Sequence, residues 1–133
     1  MWLFSVGGLL MGSFLDPTPE GVRAVAGTYV AVADPDLVGA DLPQTVDMAT
    51  ASSVPLLLVR PEHDFAWVAP ATVDLLARCT AADREVEVIE VPGAHHAVET
   101  VDATDAARAA IRRTVACGPA SCPRPSVPVP RAA

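Results

Sequence analysis

The sequence contains no lysine, and its nine basic residues are all arginines, against 16 acidic residues. The formal net charge is −7, and the arginines are scattered singly except for Arg112 and Arg113. A protein that binds nucleic acid needs a basic face that neutralises phosphates. The composition therefore argues against a nucleic-acid partner.

Cysteine is also scarce. Three cysteines, Cys79, Cys117 and Cys122, are an odd number that does not match a disulfide framework. The spacing of Cys117 and Cys122 lacks the two-residue gap of a zinc knuckle, and there is no second cysteine pair. We expect reduced thiols, no cysteine-bound metal and a cytoplasmic location.

Aromatic residues make up only 5% of the chain. The two tryptophans, Tyr29 and the three phenylalanines are scattered along the sequence. They are too few and too dispersed for a surface on which nucleic-acid bases stack. We expect them in the core or in the wall of a pocket.

No apolar run is long enough to cross a membrane. Residues 1–15 carry no charged side chain, but a transmembrane helix needs about 20 apolar residues. A signal peptide would begin with a positive residue, and none precedes this run. We expect no membrane partner. A secreted or membrane-associated protein is an alternative that rests on the apolar start alone.

Hydrophobic residues form 51% of the 133 residues, enough for one packed domain. Nearly uncharged, β-branched stretches predict buried strands over residues 22–33 and 54–60. Alternating apolar and acidic residues predict a third strand over 86–91, nearer the sheet edge. The intervening stretch of residues 34–53 is predicted to be a loop that holds one short helical turn.

Helices are predicted over residues 70–81 and 102–116, with Val73 and Val115 among their inward-facing residues. Alternation of strands and helices predicts an α/β fold, with a mostly parallel sheet flanked by helices. We assign residues 1–118 to the domain and residues 119–133, which contain five prolines, to a disordered tail.

Three polar clusters follow apolar stretches of the predicted sheet. Ser5 follows the first stretch, Asp64 follows the second predicted strand with Glu62 and His63, and His95 and His96 follow the third. The carboxyl ends of parallel strands meet at one edge of a sheet. A hydroxyl, a carboxylate and an imidazole at that edge could act as the nucleophile, the orienting acid and the base of an activated-serine site.

Other interpretations of these residues stay open. Asp64 could be a turn residue or a helix cap, and His95 and His96 could be surface residues. His63, Asp64, His95 and His96 could hold a metal ion. Successive side chains on an extended strand point in opposite directions, which disfavours a metal site.

Three segments carry a resemblance to a known family. Residues 2–8 (WLFSVGG), 54–64 (VPLLLVRPEHD) and 91–98 (VPGAHHAV) resemble the segments that deliver serine, acid and histidine, in that order, in α/β-hydrolases of the dienelactone-hydrolase and esterase type. The resemblance covers residues 1–117 and only the C-terminal half of that fold. The chain therefore resembles a partial α/β-hydrolase that lacks the N-terminal strands.

The resemblance implies a Ser–Asp–His triad in which Ser5 is the nucleophile, Asp64 the acid and His96 the base. The Val6 backbone N–H would be an oxyanion donor, and Gly7 would give the turn its room. The family has a small residue two positions before the serine. Leu3 occupies that position here, and we expect it to crowd the turn.

By this resemblance, the protein cleaves a carboxylic ester or related acyl bond of a small-molecule substrate and needs no cofactor and no metal. A second hypothesis is a truncated, catalytically inactive homologue. It would act as an interaction or self-associating module through an exposed sheet edge, with a second copy or a complementing chain as its partner.

Overall fold

The structure is a computed structural model that describes residues 1–32 and 45–116. The predicted tail, Cys117 and Cys122 lie outside these residues. The described part has an α/β architecture with a four-stranded sheet, in which neighbouring strands are parallel throughout. In sheet order, the strands are β1 (Trp2–Phe4), β2 (Val25–Thr28), β3 (Leu56–His63) and β4 (Glu87–His95).

One 3-10 helix and four α-helices accompany the strands. The 3-10 helix (Ser5–Phe14) follows β1 directly. The α-helices are α1 (Thr45–Ala51), α2 (Ala69–Ala81), α3 (Val98–Val101) and α4 (Asp105–Ala116). None of the helices in the described ranges has both the length and the apolar character needed to cross a membrane.

The parallel sheet flanked by helices confirms the predicted fold class, but several boundaries differ. The strand predicted over residues 22–33 is only four residues long, because the backbone turns at Tyr29, whose φ is +42°. The helix predicted over 102–116 begins later, at Asp105, where the Thr104 hydroxyl accepts a hydrogen bond from the Ala107 N–H at 3.1 Å. A Thr cap of this kind satisfies one of the unpaired N–H groups of the first turn.

Two predicted inward-facing residues point outward. Val73 is 52% exposed on α2, and Val115 is 66% exposed on α4. The threonines beside them, Thr72 and Thr114, are buried instead. Each threonine hydroxyl hydrogen-bonds the carbonyl four residues earlier, which satisfies the polar group and lets the methyl group pack inward.

The core has one hydrophobic cluster on each face of the sheet. Leu56 and Leu58 of β3 belong to one cluster, and Leu57 and Val59 belong to the other. This alternation is the two-residue period of a strand that is buried on both faces. The first cluster is completed mainly by the 3-10 helix, α1 and α2, and the second by β4, α3 and α4.

Candidate active site

The Ser5 hydroxyl lies at a sharp turn between β1 and the 3-10 helix. Ser5 has a φ of +48°, in the left-handed region that non-glycine residues seldom adopt. Its carbonyl accepts a hydrogen bond from the Ala31 N–H at 2.9 Å, which ties the turn to the chain beyond β2. Strained backbone of this kind concentrates at functional sites.

Gly8 is the glycine that this turn requires. A Cβ at Gly8 would lie 2.4 Å from the Ala31 carbonyl oxygen and 2.6 Å from the Val30 Cβ. A Cβ at Gly7 would meet nothing within 4 Å. The prediction that Gly7 provides the room was therefore wrong, because the 3-10 helix approaches its neighbouring segment at Gly8.

Leu3 fits two residues before Ser5. It pairs with Gly27 of β2 in the sheet register and packs against the first core cluster. A Cβ at Gly27 would lie 2.6 Å from the Met11 Cε. The missing side chain at Gly27 therefore leaves space for Met11 and Val30 beside β2, and the expected crowding at Leu3 does not prevent the turn.

Asp64 and His96 follow the last residues of β3 and β4, so both lie at the carboxyl edge of the sheet. The His96 Nδ1 is 2.6 Å from the Asp64 Oδ1, and the His96 Nε2 is 2.9 Å from the Ser5 Oγ. The side chains of His96 and Asp64 are only 11% and 8% exposed. The three groups thus form one hydrogen-bonded series.

The partners determine which nitrogen of His96 carries the proton. An ionised carboxylate can only accept hydrogen bonds, so the Nδ1–H of His96 donates to Asp64. The Nε2 is then free to accept the hydroxyl proton of Ser5. The Phe65 N–H also donates to the Asp64 Oδ1, at 2.8 Å, and this second bond fixes the carboxylate in place.

Two further carboxylates hold the strand end that carries His96. The Glu62 carboxylate accepts a hydrogen bond from the Gly93 N–H at 2.7 Å. The Asp102 carboxylate accepts one from the His95 N–H at 2.6 Å. Gly93 has a φ of +69°, a conformation that favours glycine. We call residues 62–65 and 93–96, which are the ends of β3 and β4 with the turns that follow them, the acid–histidine loops.

The His95 N–H lowers the pKa of Asp102 below its ordinary value, because the hydrogen bond stabilises the ionised carboxylate. Partial desolvation opposes this shift, and the side chains of His95 and His63 support it. The His95 ring lies 3.2 Å from Asp102 through its Nδ1 and is 60% exposed. Asp102 thus holds the backbone one residue before His96.

The two adjacent histidines face different surroundings. His95 contacts Asp102 and lies beside the His63 ring, with centroids 5.2 Å apart. His96 instead contacts Ser5 and Asp64. Across residues 1–32 and 45–116, no three His, Cys, Asp or Glu side chains converge in a way that could hold a metal ion.

Tyr29 also belongs to this site, although the sequence assigned it only to a strand interior or pocket wall. Its ring lies against the His96 ring, with centroids 4.5 Å apart, and its hydroxyl donates a hydrogen bond to Glu99. Burial raises the pKa of the Tyr29 hydroxyl, and the hydrogen bond to Glu99 raises it further. No signal in the sequence marked it, because the strand was predicted to continue through residue 33.

Five of the six aromatic residues, all except Phe14, meet at this edge in a continuous series of ring contacts that includes His96. Phe65 stacks on His96 with centroids 4.3 Å apart, and Trp67 stacks on Phe65 at 6.1 Å. On the other side, Phe4 contacts Tyr29 at 6.0 Å and Trp2 at 4.8 Å. Rings that are far apart in the sequence are therefore brought together around His96.

Val6 follows Ser5 in the first turn of the 3-10 helix and is 64% exposed. The first N–H groups of a helix have no partner within the helix. The Val6 N–H is therefore at a position where a developing negative charge beside Ser5 could be met.

The fold has clear counterparts among solved structures. The chain matches a candidate dienelactone hydrolase from Klebsiella pneumoniae subsp. pneumoniae with a TM-score of 0.69 and 19% identity, over 86% of this chain and 49% of that one. It matches Thermogutta terrifontis esterase 2, phosphoramylated by tabun, with a TM-score of 0.61 and 13% identity, over 89% and 54%. The described chain adopts part of the α/β-hydrolase fold.

A third α/β-hydrolase match is a candidate dipeptidyl aminopeptidase IV from Bacteroides ovatus, with a TM-score of 0.65 and 16% identity, over 86% of this chain and 18% of that one. The chain thus spans about half or less of the length of these three structures. No family model and no curated protein matches the sequence.

Proposed function

We propose that this protein is a serine hydrolase that cleaves a carboxylic ester or a related acyl bond through a covalent acyl–Ser5 intermediate. The observation that carries the proposal is the series of hydrogen bonds from Ser5 to His96 and from His96 to Asp64, 2.9 and 2.6 Å long. In this proposal, Ser5 is the nucleophile, His96 the base and Asp64 the orienting acid of a serine triad.

In the first half-reaction, the Ser5 Oγ attacks the carbonyl carbon of the ester, and its proton moves to the His96 Nε2. Asp64 keeps the opposite nitrogen protonated and stabilises the positive imidazolium. The tetrahedral intermediate then expels the alcohol, which leaves with the proton from Nε2. The acyl group remains on Ser5.

In the second half-reaction, a water molecule gives a proton to the His96 Nε2 and attacks the acyl carbon. The carboxylic acid leaves, and the Ser5 oxygen recovers its proton from His96. One ester and one water thus become one acid and one alcohol, with no cofactor. The Val6 N–H would stabilise the oxyanion of both tetrahedral intermediates.

The structural matches support an acyl-transfer function. Two of them are an esterase and a candidate dienelactone hydrolase, and the esterase was captured with an organophosphorus group from tabun. An organophosphorus reagent is therefore a suitable probe for this chain.

The decisive experiment is labelling with a fluorophosphonate, from which an activated serine displaces fluoride. We expect the reagent to label Ser5, and Ser5→Ala to abolish labelling while the melting temperature is retained. Ser13→Ala is the matched control, because Ser13 is an exposed serine of the same 3-10 helix. Tandem mass spectrometry of the tryptic peptide that contains both serines identifies the labelled one. Labelling that persists in Ser5→Ala would falsify the assignment.

We propose as a second candidate a non-catalytic module that associates through β1. Within the described residues, β1 is an edge strand of the sheet. Phe4 on this strand is 37% exposed, and Met1 directly before it is 50% exposed. Exposed apolar edge strands favour pairing with another chain. This candidate predicts no fluorophosphonate labelling and concentration-dependent oligomers by size-exclusion chromatography. A monomer at all concentrations would contradict it.

We further propose a cytoplasmic location, since Cys79 is a free, buried thiol. Cell fractionation followed by mass spectrometry of the mature N-terminus checks this proposal. A shortened N-terminus in an exported fraction would contradict it.

A further inference from the structure

The exposed aromatic pair beside His96 points to the kind of ester that the site takes. Phe65 and Trp67 are 49% and 53% exposed. Large aromatic side chains usually bury most of their surface, so two adjacent exposed rings are a recognisable binding surface. We call Phe65 and Trp67 the aromatic wall.

The aromatic wall is continuous with the proposed base. The planes of Phe65 and Trp67 are only 14° apart, and those of Phe65 and His96 are 25° apart. Phe65 therefore contacts both Trp67 and His96, and its ring is nearly parallel to each of theirs. The aromatic wall thus lies on the His96 side of Ser5, since the His96 Nε2 is 2.9 Å from the Ser5 Oγ.

The chemistry of the histidine decides which half of the ester lies on this side. In acyl transfer, the histidine donates its proton to the leaving oxygen. The alcohol part of the ester must therefore lie beside His96, and the acyl part lies further away from it. From this geometry we infer that the aromatic wall binds the alcohol part, and that the preferred substrates are esters of aromatic alcohols. This inference rests on the proposed function.

Nearby charges favour an uncharged alcohol. The carboxylates of Glu62 and Asp102 accept hydrogen bonds from the loop that carries His96. The Glu99 carboxylate accepts a hydrogen bond from the Tyr29 hydroxyl. Negative charge at this edge repels an anionic group. An aromatic alcohol without a carboxylate is therefore the best match to the wall.

The test compares two acetate esters whose alcohols are similar in size, benzyl acetate and cyclohexylmethyl acetate. For Trp67→Ala, we expect kcat/KM for benzyl acetate to fall about tenfold, because an aromatic stacking contact is lost. The loss should appear in KM with kcat nearly unchanged, as for binding that is equal in ground and transition states. The cyclohexylmethyl ester should change by less than about threefold, since it has no ring face to stack.

Two variants serve as controls for Trp67→Ala. Trp67→Phe keeps an aromatic ring and should recover most of the benzyl preference. Val73→Ala removes an exposed apolar side chain from α2 and should leave both esters unchanged. Phe65 is not the primary target, because its ring also supports His96.

A binding measurement separates recognition from turnover. In Ser5→Ala, titration with benzyl acetate should quench the fluorescence of Trp67, and Trp67→Phe in the same background identifies that signal. Equal effects of Trp67→Ala on both acetates would overturn the inference. A larger effect on methyl phenylacetate, whose ring is on the acyl side, would also overturn it. Fluorophosphonate labelling of Ser5 in the wild-type protein would show that such a failure leaves the proposed function intact.

Discussion

The two halves of the candidate site are held in place by different forces. The acid–histidine loops are held by side chains, since Glu62 and Asp102 bind backbone N–H groups and the Phe65 ring supports His96. The segment that carries Ser5 is held by its backbone. Residues 2–15 contain no charged side chain, and they depend on strand pairing, the Ala31 hydrogen bond and the close packing at Gly8.

The two halves should therefore be sensitive to different kinds of substitution. A segment positioned by close backbone packing responds to added volume, because neighbouring backbone cannot move out of the way. Loops positioned by carboxylates respond to loss of charge and to pH. The following predictions test that contrast, beginning with the adjacent histidines.

The largest effect is expected at His96. His96→Gln should lower the rate of fluorophosphonate labelling on the order of 1000-fold, because the proposed general base is lost. His95→Gln should retain the rate within about threefold, since the His95 ring lies on Asp102 and the backbone N–H stays in place. Stopped-flow labelling of both variants measures the ratio. Equal losses would show that the two histidines are not functionally distinct.

The next effect tests volume in the serine segment. Gly8→Ala should lower the free energy of unfolding by about 2 to 3 kcal/mol, because its Cβ would meet the Ala31 carbonyl. It should also slow fluorophosphonate labelling, because the Ser5 carbonyl accepts a hydrogen bond from the N–H of that same Ala31. Gly7→Ala is the control, and we expect a change within about 1 kcal/mol. Urea denaturation measures the free energy of unfolding of both variants, and equal destabilisation would contradict the role of Gly8.

A smaller effect is expected from the carboxylate that joins the two loops. Glu62→Ala should lower the free energy of unfolding by about 1 kcal/mol through loss of an exposed charged hydrogen bond, and labelling should slow with it. Glu62→Gln keeps an accepting oxygen and should recover both properties. Glu90→Ala breaks an exposed pair with Arg60 and should leave labelling unchanged. Slow labelling by Glu62→Gln would mean that charge matters more than the hydrogen bond.

The smallest effect is the pH dependence from Asp102. Because its pKa is lower in the folded state, Asp102 stabilises the protein above the unfolded-state pKa of 3.8. That contribution is lost as the pH falls through the folded-state pKa. The difference in melting temperature between the wild type and Asp102→Asn should therefore shrink as the pH falls below 3.8. A difference that grows with acid would reverse the sign. Asp74→Asn, in an exposed pair with Arg78, is the control.

Much of the fold could be predicted because hydropathy reports burial directly. Two predicted strands, the nearly uncharged stretch over residues 54–60 and the alternating stretch over 86–91, correspond to β3 and β4. As predicted, β4 lies at an edge of the described sheet. Helix faces were harder. Hydropathy cannot distinguish a buried threonine, whose hydroxyl donates to a carbonyl of its own helix, from an exposed one. Val73 was therefore predicted to face inward, whereas the neighbouring Thr72 is the buried residue.

The residues of the candidate site were likewise predicted only in part. The resemblance of three segments to those of α/β-hydrolases singled out Ser5, Asp64 and His96, and their catalytic roles stay predictions. The importance of Tyr29 and Gly8 could not be inferred, since each depends on a neighbour that is distant in sequence. Tyr29 contacts His96, and Gly8 packs on residues 30–31.

Local side-chain patterns were enough to predict the alternation of buried strands and helices and the polar groups that follow the strands. The folded chain was needed to show that Ser5 meets His96 across 91 residues, that His95 faces away, and that Phe65 and Trp67 form a wall beside the imidazole. Those outcomes depend on strand register and on backbone turns such as the left-handed Ser5. Contacts between distant segments depend on how the whole sheet packs, which no local pattern specifies.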